Sequence, residues 1–174
     1  MSRLWPHAAY AEDQPYAKTV LRTHTTYRGF QAGALVGAIV GGGRQVLGKS
    51  RASSTPSLPL AGILRSAGVG AVVGTGVLAV MTELRMYGRQ PIEWADRSWR
   101  LLENRGQLAV DDWSLAGAAM TLAVLTTGAR RKGPLAWKGT VGGLGLGSLL
   151  GTAGYMVWRY GVRRDEGWEL FVTK

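Results

Sequence analysis

The sequence predicts an all-α membrane protein, with four transmembrane helices packed by glycine zippers and one interfacial amphipathic helix. Three observations predict it: long intervals without an ionisable side chain, glycines recurring at every fourth position inside them, and a lopsided division of charge between the connections. At 174 residues the chain is about one domain. Its 46% apolar and 18% charged residues would suit a soluble protein, but the charges are confined to a few intervals, so the averages mislead.

No Asp, Glu, Lys, Arg or His occurs between Arg28 and Arg44, Arg65 and Glu83, Asp112 and Arg130, or Lys138 and Arg159, which leaves windows of 15, 17, 17 and 20 residues. A helix rises about 1.5 Å per residue, so roughly 30 Å of hydrocarbon takes about 20 residues. The last window suffices unaided. The first gains Tyr27, Arg28, Gln45, Val46 and Leu47, the second is led in by residues 60–64, and the third starts at Trp113. Spans are therefore predicted near 25–47, 60–84, 112–130 and 137–160, with boundary arginines snorkelling to head groups.

The competing reading is a soluble glycine-rich protein with short buried helices. Glycine placement disfavours it, because nineteen of the twenty-six glycines fall inside the windows, and each Gly in a soluble helix costs about 1 kcal/mol relative to Ala. In the first window Gly29, Gly33, Gly37 and Gly41 run at spacing four, and in the last Gly139, Gly143, Gly147 and Gly151 repeat the run. The second predicted helix has Gly62, Ser66, Gly70 and Gly74. Residues four apart share a helix face, so each run is a groove that lets another backbone approach closely. The third helix has only Gly117 with Thr121, and Ala119 with Ala123 and Thr127, and is expected to pack less closely.

Four spans place the N-terminus, the 83–112 connection and the C-terminal tail on one side, and the hairpin loops 44–65 and 130–138 on the other. The loops hold Arg44, Lys49, Arg51, Arg65, Arg130, Arg131, Lys132 and Lys138 and no acid, whereas all eleven acids lie on the opposite side. The basic bias puts the loops on the side from which insertion occurs. It also assigns the net charge of +10 to anionic lipid head groups at Arg44, Lys49, Arg65, Arg130, Arg131 and Lys132, rather than to nucleic acid.

Outside the spans, residues 1–24 form an N-terminal extramembrane segment and 161–174 a tail, flanking a membrane domain at 25–160. Residues 1–28 lack the apolar stretch of a secretory signal, and their acids disfavour a mitochondrial presequence. Residues 91–105 start with Pro91 at a first-turn position and set Ile92, Ala95, Trp99 and Leu102 on one face. That pattern predicts a helix in the interface with Trp94 and Trp99 at head-group depth; a partner-binding helix off the membrane is the alternative. Asp111 and Asp112 are placed to cap a helix starting at Trp113. Trp158, Tyr160 and Trp168 make an aromatic belt around the tail arginines.

The chemistry of catalysis is missing. With no cysteine, disulfides, thiolate metal sites and cysteine nucleophiles are excluded. His7 and His24 are not at metal-ligand spacing, and no ionisable group inside the windows could relay a proton. The string 142–147 lacks the preceding strand and the later acid of a dinucleotide loop. Neither cofactor nor metal is expected.

This arrangement of four glycine-zipper spans, charge-free spans and basic hairpin loops resembles the Tim17/Tim22/Tim23 family of the mitochondrial inner membrane. That family supplies protein-import translocases and an accessory subunit of respiratory complex I. Arg105, Asp111, Ala116 and Gly117 match the residue types of its matrix-side signature at other intervals. Residues 12–15 and 18–24, with the Trp-rich stretch Trp94 to Trp113, are more similar to fungal accessory membrane subunits of complex I of the NUXM type. The resemblance implies a non-catalytic subunit whose partners are core and accessory membrane-arm subunits and phospholipids, cardiolipin among them. It also implies termini in the intermembrane space and hairpin loops in the matrix. The alternative is an import-translocase subunit, for which Ser66, Thr75, Thr126 and Thr127 supply little polar surface.

Overall fold

The computed structural model describes residues 2–48, 59–128 and 137–162. They form α1 (Ala17–Gly48), α2 (Pro59–Met86), α3 (Pro91–Glu103), α4 (Arg105–Gly128) and α5 (Trp137–Val157), the last widening into a π-type turn at Trp158–Val162. Two 3-10 turns, Ser2–Leu4 and Ala11–Asp13, precede α1, and there is no strand among the described residues. Two of the helices, over Leu60–Met86 and Arg105–Thr126, are long and apolar enough to cross a membrane.

The helices outrun the charge-free windows at one end of the bundle. α1 starts at Ala17 rather than 25, so the boundary expected at residue 24 falls inside a helix. Its 32 residues are about 48 Å long, beyond the roughly 30 Å of a hydrocarbon core. α4 starts at Arg105, not 112. Its cap is Asn104, whose side-chain oxygen accepts the Gln107 backbone N–H at 3.0 Å, which satisfies one of the N–H groups a helix start leaves without a partner. Asp111 and Asp112 thus lie within α4 and do not cap it. Reading a charge as the end of a helix was the error, because a polar side chain can stay in a helix if another element pairs it.

α1 and α2 form the most extensive pair, followed by α4 with α5 and α2 with α5. The first pair is antiparallel, and its registry is written in glycine. A Cβ added at Gly29, Gly33 or Gly37 would fall on the backbone oxygen of Gly74, Gly70 or Ser66, so the two backbones touch without side chains between them. Gly41 meets the Ser66 side chain at 2.8 Å. Gly62 is looser, facing only Gln45 Nε2 at 2.6 Å, the end of a flexible side chain.

The expectation that the third helix packs less closely is corrected here. A Cβ at Gly117 would strike the Gly147 carbonyl, one at Gly151 the Trp113 carbonyl, and one at Gly143 meets Leu125 Cδ1 at 2.8 Å. α4 therefore sits on α5 at backbone distance. One Gly with a Ser and a Thr on the same face is enough when the partner helix is nearly bare. α5 carries a second row that spacing four did not reveal: Gly142 lies on the Leu64 carbonyl of α2, and Gly145 meets Ala34 Cβ of α1 at 2.5 Å. Gly139 is buried as well. α5 is the hub, with glycine on two faces.

The residue distribution is inverted relative to a soluble bundle. Ala34, Ala67, Ala71, Ser114 and Ser148 are each 0% exposed, whereas Ile39 is 65%, Val124 69% and Leu150 72% exposed. Small residues fill the interior and large apolar ones face outward along α1, α2, α4 and α5.

Replacing Gly37 or Gly147 by Leu is expected to force the helices apart and cost about 1–3 kcal/mol or more. Gly76→Ala is expected to be neutral or to gain up to about 1 kcal/mol, because nothing lies within 4 Å of the new Cβ. Exchange of Leu122 for another apolar residue is expected to cost little. Thermal unfolding of the detergent-purified variants, with their levels in membranes, checks the order.

Candidate functional site: a buried polar layer at one end of the bundle

Where α1 and α4 extend past the glycine seams, they meet through side chains. His24, Tyr27, Arg28 and Gln31 share one face of α1, at the three- and four-residue intervals that bring helical residues together. Gln107, Asp111 and Ser114 share the facing side of α4. Arg28 Nη2 donates to Asp111 Oδ1 at 2.6 Å, and Nη1 donates to Gln31 Oε1 at 2.7 Å. Gln107 Nε2 donates to the same carboxylate oxygen at 3.2 Å. His24 Nδ1 lies 3.6 Å from Asp111 Oδ2, an ion pair when the imidazole is protonated. Ser114 donates to the Asp111 carbonyl at 2.9 Å, so the Tyr27 hydroxyl, 3.0 Å from Ser114 Oγ, is the donor of that pair.

Asp111 is 1% exposed and Gln31 4%. A buried carboxylate is tolerated only when it is paired and hydrogen-bonded, and Arg28 and Gln107 do both. Gln31 Nε2 is buried without an acceptor among the described residues. The Arg28 side chain does not snorkel outward; its guanidinium is turned inward. Sequence reasoning passed over this layer. The signal was present in the matching intervals 24–27–28–31 and 107–111–114, both flanking a charge-free window.

Three further contacts close the same end. Arg22 and Glu83 form a two-pronged ion pair, Nε to Oε1 at 2.5 Å and Nη2 to Oε2 at 2.8 Å. Thr82 donates to Thr25 Oγ1 at 2.9 Å. Arg3 reaches Asp112 at 2.5 Å. Trp113, Tyr155 and Trp158 pack as an aromatic triad with centroids 5.8–6.3 Å apart, so Trp158 faces α4, while Tyr160 is exposed.

α3 lies across this end against α1 and the N-terminal segment. It buries Trp94, Ala95, Ser98 and Leu102, not the Ile92, Ala95, Trp99, Leu102 face, and Ile92 is exposed. Trp94, expected at head-group depth, is 5% exposed, with Lys18 Nζ 5.8 Å and the Arg22 guanidinium 5.4 Å from its ring centroid. Trp99 donates Nε1–H to the Ala8 carbonyl at 2.9 Å and stacks on His7. Both indoles are held by the protein because the N-terminal segment folds back onto α3, pinned by Gln14 through Ala8 N–H, Pro6 C=O and Pro15 C=O.

Among the basic residues assigned to head groups, Arg44 and Arg65 stand at the opposite end of the bundle, in the last turn of α1 and the second turn of α2. Lys49, Arg130, Arg131 and Lys132 lie outside the described residues. Lys138 of the same end sits 5.7 Å from the Trp137 ring centroid.

Residues 8–154 match the family described as "Protein of unknown function (DUF1757)". The chain belongs to that family. The match covers the N-terminal segment, α1 to α4 and nearly all of α5, so the polar layer and both glycine seams lie within it. No curated relative matches the chain.

Removing one partner of the Arg28 and Asp111 pair breaks the charged contact at the centre of this layer and takes a counter-charge from the buried carboxylate. Asp111→Asn or Arg28→Met is expected to cost about 3–5 kcal/mol, and the double variant Arg28→Met/Asp111→Leu to recover most of it. A double-mutant cycle on unfolding free energies measures the coupling; additive losses would mean the pair is energetically idle.

Proposed function

We propose that this chain is a structural membrane protein that crosses the bilayer four times, through α1, α2, α4 and α5, and acts as a non-catalytic accessory subunit of mitochondrial complex I. The observation that carries the membrane reading is the inverted distribution: alanine, serine and glycine inside, and valine, leucine, isoleucine and methionine outside. In water that arrangement has no driving force, since the outward apolar area would gain nothing on folding. In lipid, backbone contact between small residues is the available one.

α1 and α5 hold seven glycines each, and glycine lowers average hydropathy without adding a polar side chain to desolvate. The backbone groups of a helix are bonded internally. Composition alone therefore undervalues these two helices, both of which pack on α2.

Assignment to complex I draws on the resemblance of residues 12–24 and 94–113 to its fungal accessory subunits. A scaffolding role agrees with a bundle whose polar groups bond to one another. A translocase surface would need polar groups along an outward face, yet the Thr75 and Thr126 hydroxyls bond to the Ala71 and Ala123 carbonyls of their own helices. In the proposed orientation both termini face the intermembrane space and the basic hairpin loops the matrix.

On a native gel of solubilised mitochondria the chain is expected to migrate with complex I. Its deletion is expected to weaken the membrane arm without first blocking import, and migration with import machinery alone would overturn the assignment. In mitochondria with a ruptured outer membrane, protease is expected to remove a C-terminal tag and spare one inserted after Ser53; the reverse would overturn the orientation.

A further inference from the structure

At the polar end, the outer side of the α1/α2 contact carries a groove of about 350 Å³ lined by Arg22 and Glu83, by Thr25, Thr26 and Thr82, and by Ala79, Val80 and Leu84. Five of these side chains are polar by type, yet the surface they offer is almost wholly apolar. The hydroxyls are turned away. Thr25 donates to the Leu21 carbonyl at 3.0 Å, Thr26 to the Arg22 carbonyl at 2.8 Å, and Thr82 to Thr25 Oγ1 at 2.9 Å. Their methyl groups, with Ala79, Val80 and Leu84, form the wall. Such a wall gives a polypeptide or polar metabolite no hydrogen bond and gives a hydrocarbon chain continuous contact.

Charge changes along the groove in one direction. Lys18 and Arg22 stand above it, one turn apart on α1, with their cations within 6 Å of the Trp94 ring centroid. Glu83 sets one negative charge against these two positive ones. Lys18 to Arg22 spans about 6 Å along the axis, comparable to the roughly 5–8 Å depth of one head-group layer. Below Arg22 come the threonine methyls, then Val80 and Ala79. Cation, interface and hydrocarbon follow in the order of a phospholipid.

We propose that this groove binds one phospholipid, with its anionic phosphate at Lys18 and Arg22 over Trp94 and one acyl chain between α1 and α2 along Thr25, Thr26, Ala79 and Val80. The site lies on the side of the termini, away from the basic hairpin loops, and it rests on the membrane reading. It gives Trp94 a role at head-group level as the floor beneath the cations. The lipid lies over the outside of the α1/α2 contact beyond the glycine seam, where the Thr25 and Thr82 bond and the Arg22 and Glu83 fork join the helices.

The test uses the whole chain in phosphatidylcholine nanodiscs doped with spin-labelled phosphatidylglycerol, and reads the motionally restricted lipid fraction. Native mass spectrometry of the detergent-extracted protein counts retained lipid. Ala79→Leu fills the groove without adding polarity, and Val73→Leu, on the outward face of the same helix, is its control. Displacing about two methylenes of the bound chain is expected to lower retention roughly tenfold in Ala79→Leu and leave Val73→Leu unchanged. Lys18→Gln is expected to abolish preference for phosphatidylglycerol over phosphatidylcholine while a lipid stays bound.

Equal retention in Ala79→Leu and Val73→Leu, both inserted and helical by circular dichroism, would overturn the site alone. An unchanged head-group preference in Lys18→Gln would overturn the phosphate contact. A chain that stays in solution without detergent would overturn the membrane reading and this site with it.

Discussion

The fold depends on backbone meeting backbone. Where Gly33 lies on the Gly70 carbonyl and Gly117 on the Gly147 carbonyl, no side chain separates the helices, and attraction comes from many short dispersion contacts. Such a seam excludes large residues from the interior, so valine, leucine and isoleucine are left to the outside. The inverted surface is a consequence of the seam, not a separate property. It also explains the hub position of α5, whose seven glycines let it accept α4 on one face and α1 with α2 on the other.

A glycine repeat at spacing four holds helices close but specifies their registry poorly, because a slip of one turn brings Gly onto Gly again. The polar end removes that degeneracy. Slipping α1 by four residues would carry Arg28 about 6 Å from Asp111, strand a carboxylate that is 1% exposed, and break the Arg22 and Glu83 fork together with the Thr25 and Thr82 bond. Each of these contacts joins residues far apart in sequence. Closeness comes from glycine and registry from charge, as a single polar residue fixes registry in otherwise repetitive coiled coils.

Spacing showed which residues would be contacts in α1 and α2, since a run such as Gly29, Gly33 and Gly37 leaves one bare face on the helix. It showed the helical character of 91–103 through Pro91. It did not show the second face of α5, because Gly142 and Gly145 are three apart and break the four-residue rule, nor the closeness of α4, because contact depth depends on the partner as much as on the helix. The polar layer was hidden for a different reason. On charge alone Asp111 and Arg28 read as borders, and only their pairing across 83 residues makes them interior. A single sequence carries intervals along one helix; it does not carry which helix lies opposite.

The two ends of the bundle differ in what they leave for other molecules. At the polar end the described carboxylates of Glu83, Glu93, Asp96, Glu103, Asp111 and Asp112 each face an arginine or histidine of the same chain. Those six carboxylates are answered from within, so an incoming cationic partner would have to break an existing pair. The opposite end gathers Arg44, Arg65 and Lys138, and the loops that join there add further basic residues without an acid. Between the ends, α4 packs chiefly on α5 and turns Met120 and Val124 outward. In the proposed membrane setting, association through the side walls displaces lipid from apolar residues and breaks no hydrogen bond, whereas association through the polar end begins by desolvating ion pairs already made. Under the proposed role of a scaffold in a membrane complex, the side walls are the lower-cost contact surface, and the small-residue interior keeps them regular along the whole length of the helices.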